Sequence, residues 1–203
     1  MNNNSDTYKT IKEPSEEAIF KDRGSKFLAY AFPLTTENDV NFHIQNLKNK
    51  HQKARHWCYA WKIGVVDPKF RANDDGEPNN SAGQPIYGQI LSFDLTNILV
   101  VVVRYFGGVK LGVGGLINAY KTAASLTLQN AKIIKRTVNV FFDLQFDYKD
   151  MNKVMRLVKE KKIKIENQTM DLDCNFKVSV RKNDAEQIKN AFEALRCVRI
   201  TEI

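Results

Sequence analysis

Residues 98–103 read ILVVVV, six apolar side chains, all β-branched except Leu99. The run is far too short to span a bilayer and has no polar face, so it predicts a strand covered on both sides. Past Val103 the chain changes character at once. Arg104, Tyr105 and Phe106 come first, then Gly107, Gly108, Gly112, Gly114 and Gly115, and an amphipathic helix opens near Leu116 and runs to about Ala131. Glycine has no Cβ, so such a loop can bring backbone N–H groups against a ligand, and a helix start adds unpaired donors and a positive dipole end. An anion, phosphate above all, is the natural guest.

In that reading Arg104, Lys110 and the N–H groups of Gly107, Gly108, Gly112 and Gly114 hold phosphate, while Tyr105 and Phe106 stack on a base. A cation at the exit of a buried strand is costly unless paired, so a salt bridge from Arg104 to Asp74 or Asp75 is the competing account. Both remain open on sequence. GGVKLGVGG lacks the Gly-Lys-Ser/Thr ending of a P-loop and does not fit the dinucleotide fingerprint, so neither nucleotide hydrolysis nor a bound cofactor is expected.

Upstream, residues 25–32 (SKFLAYAF) predict a strand stopped by Pro33. Thr36 with Asp39 suggests a capping box for a helix that places Val40, Ile44 and Leu47 on one face and ends near His51. Residues 57–65 predict another strand, 67–85 a long loop, and 86–93 a short helix. The first ten residues are polar and are expected to lack order until Tyr8 or Thr10.

The long loop contains DDGEPNNSAGQP. Asp74, Asp75 and Glu77 offer oxygen ligands of the kind Mg²⁺ prefers, yet Asp-Gly and Glu-Pro are also ordinary turn chemistry, and a capping role weighs more. Ser81 and Gly83 come soon after and predict a second small-residue loop facing the first across a cleft. His56 beside Trp57 and Cys58 can act as a general base, as a metal ligand or as packing, and a Cys58–His56 nucleophile pair is poorly served by neighbours on one strand. His43 reads as surface. A metal-assisted enzyme acting on a small phosphorylated or carboxylated ligand is therefore the alternative to RNA binding, with no catalytic residue assigned.

Beyond Lys135 the pattern becomes strand, helix, strand, strand, helix, strand: residues 137–146, 148–161, 163–169, 171–180, 185–195 and 197–203. That order is ferredoxin-like, and it sets a domain boundary between 1–135 and 136–203 in an α+β chain. The formal net charge is +8, with both sides of the boundary basic, which suits nucleic acid or plain solubility. No motif of a sequence-specific DNA reader is present. Cys58, Cys174 and Cys197 are too scattered for a disulfide framework or a thiolate zinc site, and the opening MNNNSDTYKT has neither the basic start nor the apolar run of a secretory signal, so no membrane association and a reducing cytoplasm are expected.

Residues 54–61 (ARHWCYAW), 74–85 (DDGEPNNSAGQP) and 102–120 (VVRYFGGVKLGVGGLINAY) resemble, in order and spacing, the motifs of the YigZ/IMPACT family. The resemblance covers roughly residues 20 to 130. It implies an N-terminal domain similar to domain IV of elongation factor G, with a left-handed β-α-β crossover, and a C-terminal ferredoxin-like domain similar to that factor's last domain. It also implies a role in translation, with RNA or the ribosome as partner. The family's cleft would map onto His56, Asp74, Asp75, Glu77, Arg104, Tyr105, Gly107, Gly108 and Gly112. Eukaryotic members restrain an initiation-factor kinase through an extra N-terminal domain, and with only about twenty residues ahead of the first matching stretch that mechanism is not expected here.

Overall fold

The computed structural model describes residues 6–203, which form a mixed α+β chain with two compact units. One unit is Tyr8–Arg136; the other is Thr137–Ile203 with the described residues that precede Tyr8. The expectation for the opening of the chain lies partly outside the described residues. Where it can be compared, β1 (Thr7–Ile11) begins one residue before Tyr8.

The first unit continues with β2 (Ala18–Asp22), β3 (Ser25–Pro33), α1 (Asn38–Lys50), β4 (His56–Ile63), β5 (Lys69–Asn73), α2 (Gly83–Ser92), β6 (Ile98–Tyr105), α3 (Gly112–Asn130) and β7 (Ile133–Thr137). β1 and β7 form a two-stranded sheet. The main sheet runs β2-β3-β6-β4-β5, every neighbouring pair antiparallel. The ILVVVV strand is therefore central. Val40, Ile44 and Leu47 of α1 pack with Leu99, Val101 and Val103 on one face. Ile86 and Ile90 of α2, with Leu116, Ala119, Tyr120, Ala123 and Ala124 of α3, pack with Ile98, Val100 and Val102 on the other. Helices on both faces explain why an antiparallel strand here carries no polar alternation.

Several boundaries differ from those the sequence suggests. β2 and β3 close through a two-residue turn in which Arg23 (φ 43°) and Gly24 (φ 78°) are both left-handed, the geometry of a type I′ hairpin. Five residues of the expected loop at 67–85 are β5, an edge strand whose KFRAN sequence is largely exposed and so carries little apolar signal. Thr36 does not cap α1: Glu37 takes that position, and the Thr36 hydroxyl donates to Asp39 Oδ2 at 2.9 Å.

The second unit comprises β8 (Asn139–Asp147), α4 (Met151–Glu160), β9 (Lys164–Met170), β10 (Asp173–Arg181), α5 (Ala185–Glu193) and β11 (Val198–Glu202). Its antiparallel sheet has the order β11-β8-β10-β9. Val154 and Val158 of α4 and Ile188 and Phe192 of α5 share a core with Phe142, Leu144, Phe176 and Val178. Phe146 and Phe176 meet edge to face at 5.1 Å.

Candidate functional site

Alternation along β6 decides what its polar exit can reach. Arg104 and Phe106 lie on the α2–α3 face with Phe27 and Tyr120, whereas Tyr105 lies on the α1 face, because successive strand residues point to opposite sides. Arg104, Tyr105 and Phe106 thus do not form one cradle.

Arg104 is 5% exposed and has an interior partner. Its Nη1 donates to Glu77 Oε1 at 2.6 Å, with both side chains almost fully buried. Its guanidinium also sits over the rings of Phe27 (5.5 Å) and Phe106 (5.6 Å), and its Nε has no hydrogen-bond partner among the described residues. The ion pair competing with phosphate is therefore present, but with Glu77 rather than Asp74 or Asp75, and an interior Arg104 is removed from any surface phosphate. Tyr120 completes the cluster by donating to the same Glu77 oxygen at 2.8 Å, and the Cys58 sulfur lies 2.9 Å from the Asp74 carbonyl oxygen and 3.3 Å from the Tyr120 oxygen, the two acceptors within reach of its one proton. Burial pushes both the Cys58 thiol and the Tyr120 hydroxyl well above their usual values, which favours the protonated form of each.

The acidic loop closes on itself. Asp74 accepts the N–H groups of Ala82 and Gly83 on one carboxylate oxygen (2.9 and 2.8 Å) and of Asn80 on the other (2.9 Å), which caps α2. Asp75 accepts the Trp57 N–H at 2.7 Å, and its carbonyl accepts from His56 Nδ1 at 2.8 Å, which fixes the proton on that nitrogen. Ser81 is buried and donates to the Pro78 carbonyl at 2.6 Å. Gly83 is required where it stands, since a Cβ would lie 2.5 Å from the Asn73 nitrogen. His56, Asp74, Asp75, Glu77, Ser81 and Gly83 are brought together in and around one folded turn. The three carboxylates are engaged by separate partners, and among the described residues no three His, Cys, Asp or Glu side chains are placed to hold an ion.

The glycine-rich stretch divides by cause. Gly107 lies against the β2–β3 turn, where a Cβ would be 1.9 Å from the Gly24 carbonyl carbon, and its N–H donates to Ser25 Oγ at 3.1 Å. Gly108 (φ 86°) and Gly112 (φ 72°) hold left-handed conformations. Gly114 has neither reason: a Cβ there would meet nothing within 4 Å. In the loop and first turn that lead to it Phe106 is 44% exposed, and Val109, Lys110 and Val113 are exposed. Among the described residues no side chain is recorded capping the start of α3, and no acidic residue sits in its first turn.

On the opposite face lies a hydrogen-bond chain that sequence reasoning missed. Tyr30 donates to the Glu17 carboxylate, so its oxygen accepts from His51 Nε2 at 2.7 Å, and His51 Nδ1 accepts from the Tyr105 hydroxyl at 3.0 Å. Burial, then the Lys50 charge, holds the His51 pKa below its usual range. Nothing local marks His51 in sequence, because Tyr30 and Tyr105 are 21 and 54 residues away.

Residues 23–128, which hold all of these side chains except Glu17, match the family model described as the Impact N-terminal domain. The chain belongs to the IMPACT family. It is 36% identical to the IMPACT family member YvyE of Bacillus subtilis over 154 residues, 76% of this chain and 70% of that protein. To the IMPACT family member YigZ of Escherichia coli it is 33% identical over 117 residues, 57% of each. A crystal structure described as a hypothetical protein aligns over 98% of both chains with a TM-score of 0.72 at 23% identity, which shows a shared fold for this IMPACT chain. No helix among the described residues is long and apolar enough to cross a membrane.

Proposed function

We propose that this IMPACT-family protein is a translation-linked factor that binds RNA or the ribosome through the lip formed by Phe106, Lys110 and the start of α3. The observation that carries the reading is Gly114. An alanine would fit there without a clash, and a helical glycine costs up to about 1 kcal/mol relative to alanine. At the start of α3 that bare backbone leaves the unpaired N–H groups of the first turn open to close approach, a setting that Gly88 in the middle of α2 does not share. The uncapped, acid-free helix start suits a phosphate, Lys110 adds a mobile cation, and the half-open Phe106 ring offers a stacking surface. The net charge of +8 favours the same partner.

Arg104 serves this lip indirectly by holding the Phe106 ring, and Gly107, Gly108 and Gly112 shape the loop. The strand order β11-β8-β10-β9 supports a ferredoxin-like reading of the second unit, and the family motifs support kinship of the first with domain IV of elongation factor G. A translation-linked role puts the protein in the cytoplasm.

Fluorescence anisotropy with labelled tRNA and single-stranded RNA, and co-sedimentation with ribosomes, over a salt series test the reading. Binding should weaken steeply with salt, and Lys110→Ala and Gly114→Ala should each weaken it several-fold while Gly114→Ala leaves the melting temperature unchanged or higher. Gly88→Ala on α2, where a Cβ also meets nothing within 4 Å, is the matched control and should leave binding alone. Full affinity in both lip variants would discard the lip.

A further inference from the structure

On the α1 face of the main sheet, Lys21 of β2 stands directly opposite Lys26 of β3, and Lys26 stands directly opposite Tyr105 of β6. Opposed residues of antiparallel strands share a face with Cβ atoms about 5 Å apart, so the three side chains form a row across three strands. The next row begins with Ile19 opposite Leu28. A hollow of about 290 Å³ lies over these positions, lined by Ile19, Lys21, Lys26, Leu28 and Tyr105.

Two features of the hollow call for an occupant. Like charges face to face across a strand pair destabilise it, and among the described residues neither lysine has a carboxylate within ion-pair distance. No acid lines the hollow either. Ile19 is 51% exposed at its floor, and the Tyr105 hydroxyl is tied to His51, which fixes that ring as a wall.

We propose that this hollow seats a nucleotide of single-stranded RNA, its base against Ile19, Leu28 and the Tyr105 ring and its flanking phosphodiesters on Lys21 and Lys26. A free inorganic anion would use the lysines and leave the apolar floor empty, and a duplex keeps its bases stacked away from such a floor. Unpaired cations beside an aliphatic and aromatic surface match the way single strands are held. The proposal rests on RNA as the partner class, but its residues lie on the opposite sheet face from Arg104 and Phe106 and are independent of the α3 lip.

The test is anisotropy of fluorescein-labelled oligoadenylate, alone and as its duplex with oligouridylate, on the full chain. The Lys21→Ala/Lys26→Ala double variant should lose about tenfold or more in affinity for the single strand, and its slope of log affinity against log salt should fall by about 1.4, from about 0.7 per lost phosphate contact. Tyr105→Leu should weaken binding with the slope retained, and by more than Tyr105→Phe, which keeps the ring and loses only its tie to His51. An unchanged slope in the lysine variant, or a duplex bound as tightly as the single strand, overturns the seat. If lip variants lose RNA and the lysine variant does not, the seat fails and the lip stands; the reverse result removes the lip and keeps the seat. No binding at low salt removes both.

Discussion

Arg104 and Glu77, 27 positions apart in the chain, meet at 2.6 Å in the interior beside β6, and Tyr120 donates to the same Glu77 oxygen. The pair joins the motif after the central strand to the acidic loop, and neither charge has an exit to solvent. Removing one partner strands the other, so Arg104→Ala or Glu77→Ala should each destabilise the protein by about 3–5 kcal/mol. An Arg104→Met/Glu77→Leu double variant should lose less than either single change. Urea unfolding measures all three, and additive losses in the double variant would contradict a coupled pair.

Asp74 works through three backbone N–H groups, those of Asn80, Ala82 and Gly83. Asp74→Ala should therefore cost about 1–3 kcal/mol by uncapping α2. Because its oxygens are already engaged, Mg²⁺ should leave the melting temperature of the parent protein unchanged. A rise on adding Mg²⁺ that Asp74→Ala abolishes would restore the acidic loop as a metal site.

The glycines should separate cleanly on substitution. Gly83→Ala drives a Cβ to 2.5 Å from the Asn73 nitrogen, and it should cost about 1–3 kcal/mol through overpacking. Gly114→Ala meets no neighbour and should be neutral or stabilising. Thermal denaturation of the two variants side by side reads the difference directly.

Stability should fall as pH drops from about 7. Burial, opposed by Glu17, keeps His51 neutral, and burial also depresses the pKa of His43, which stacks on Phe32 at 4.3 Å. In the unfolded chain both titrate near 6.5, so below that value the unfolded state binds more protons and gains on the folded one. Glu17, whose carboxyl is held low first by the Tyr30 hydrogen bond, loses its contribution only at pH values below its usual 4.5. Urea midpoints across this range should flatten near neutrality in His51→Gln and flatten further when His43 is replaced too.

Thiol chemistry offers an independent check of the packing. Cys58 and Cys174 are buried and Cys197 is partly open. An aromatic disulfide reagent should titrate one thiol in the native protein and all three after denaturation.

The central strand was legible because six uninterrupted apolar residues have few other fates, and the family was legible because three motifs keep their order and spacing. β2 and β5 were not, since short strands at the rims of a sheet carry few buried side chains. Strand alternation alone places Tyr105 apart from Arg104 and Phe106, so that separation was available in the sequence. The choice of Glu77 over Asp74 or Asp75 was not: the chain reverses at Asp75 (φ 41°) and Gly76 (φ 87°), and this backbone turn decides which carboxylate faces inward.

The contact between Gly24 and Gly107 bears on how variants of this protein could be rescued. Each glycine presses on the backbone of the other, with Gly24 also held at a left-handed φ, so a methyl group on either side has no side chain to displace. Trimming the opposite residue cannot make room, because it is already a glycine. A suppressor of Gly107→Ala would have to move main chain, by lengthening the turn at Arg23 or resetting the register of β2 on β3. That second route would also break the alignment of Lys21 with Lys26, so suppressors that reset the register should differ from those that lengthen the turn in keeping no lysine pair across β2 and β3.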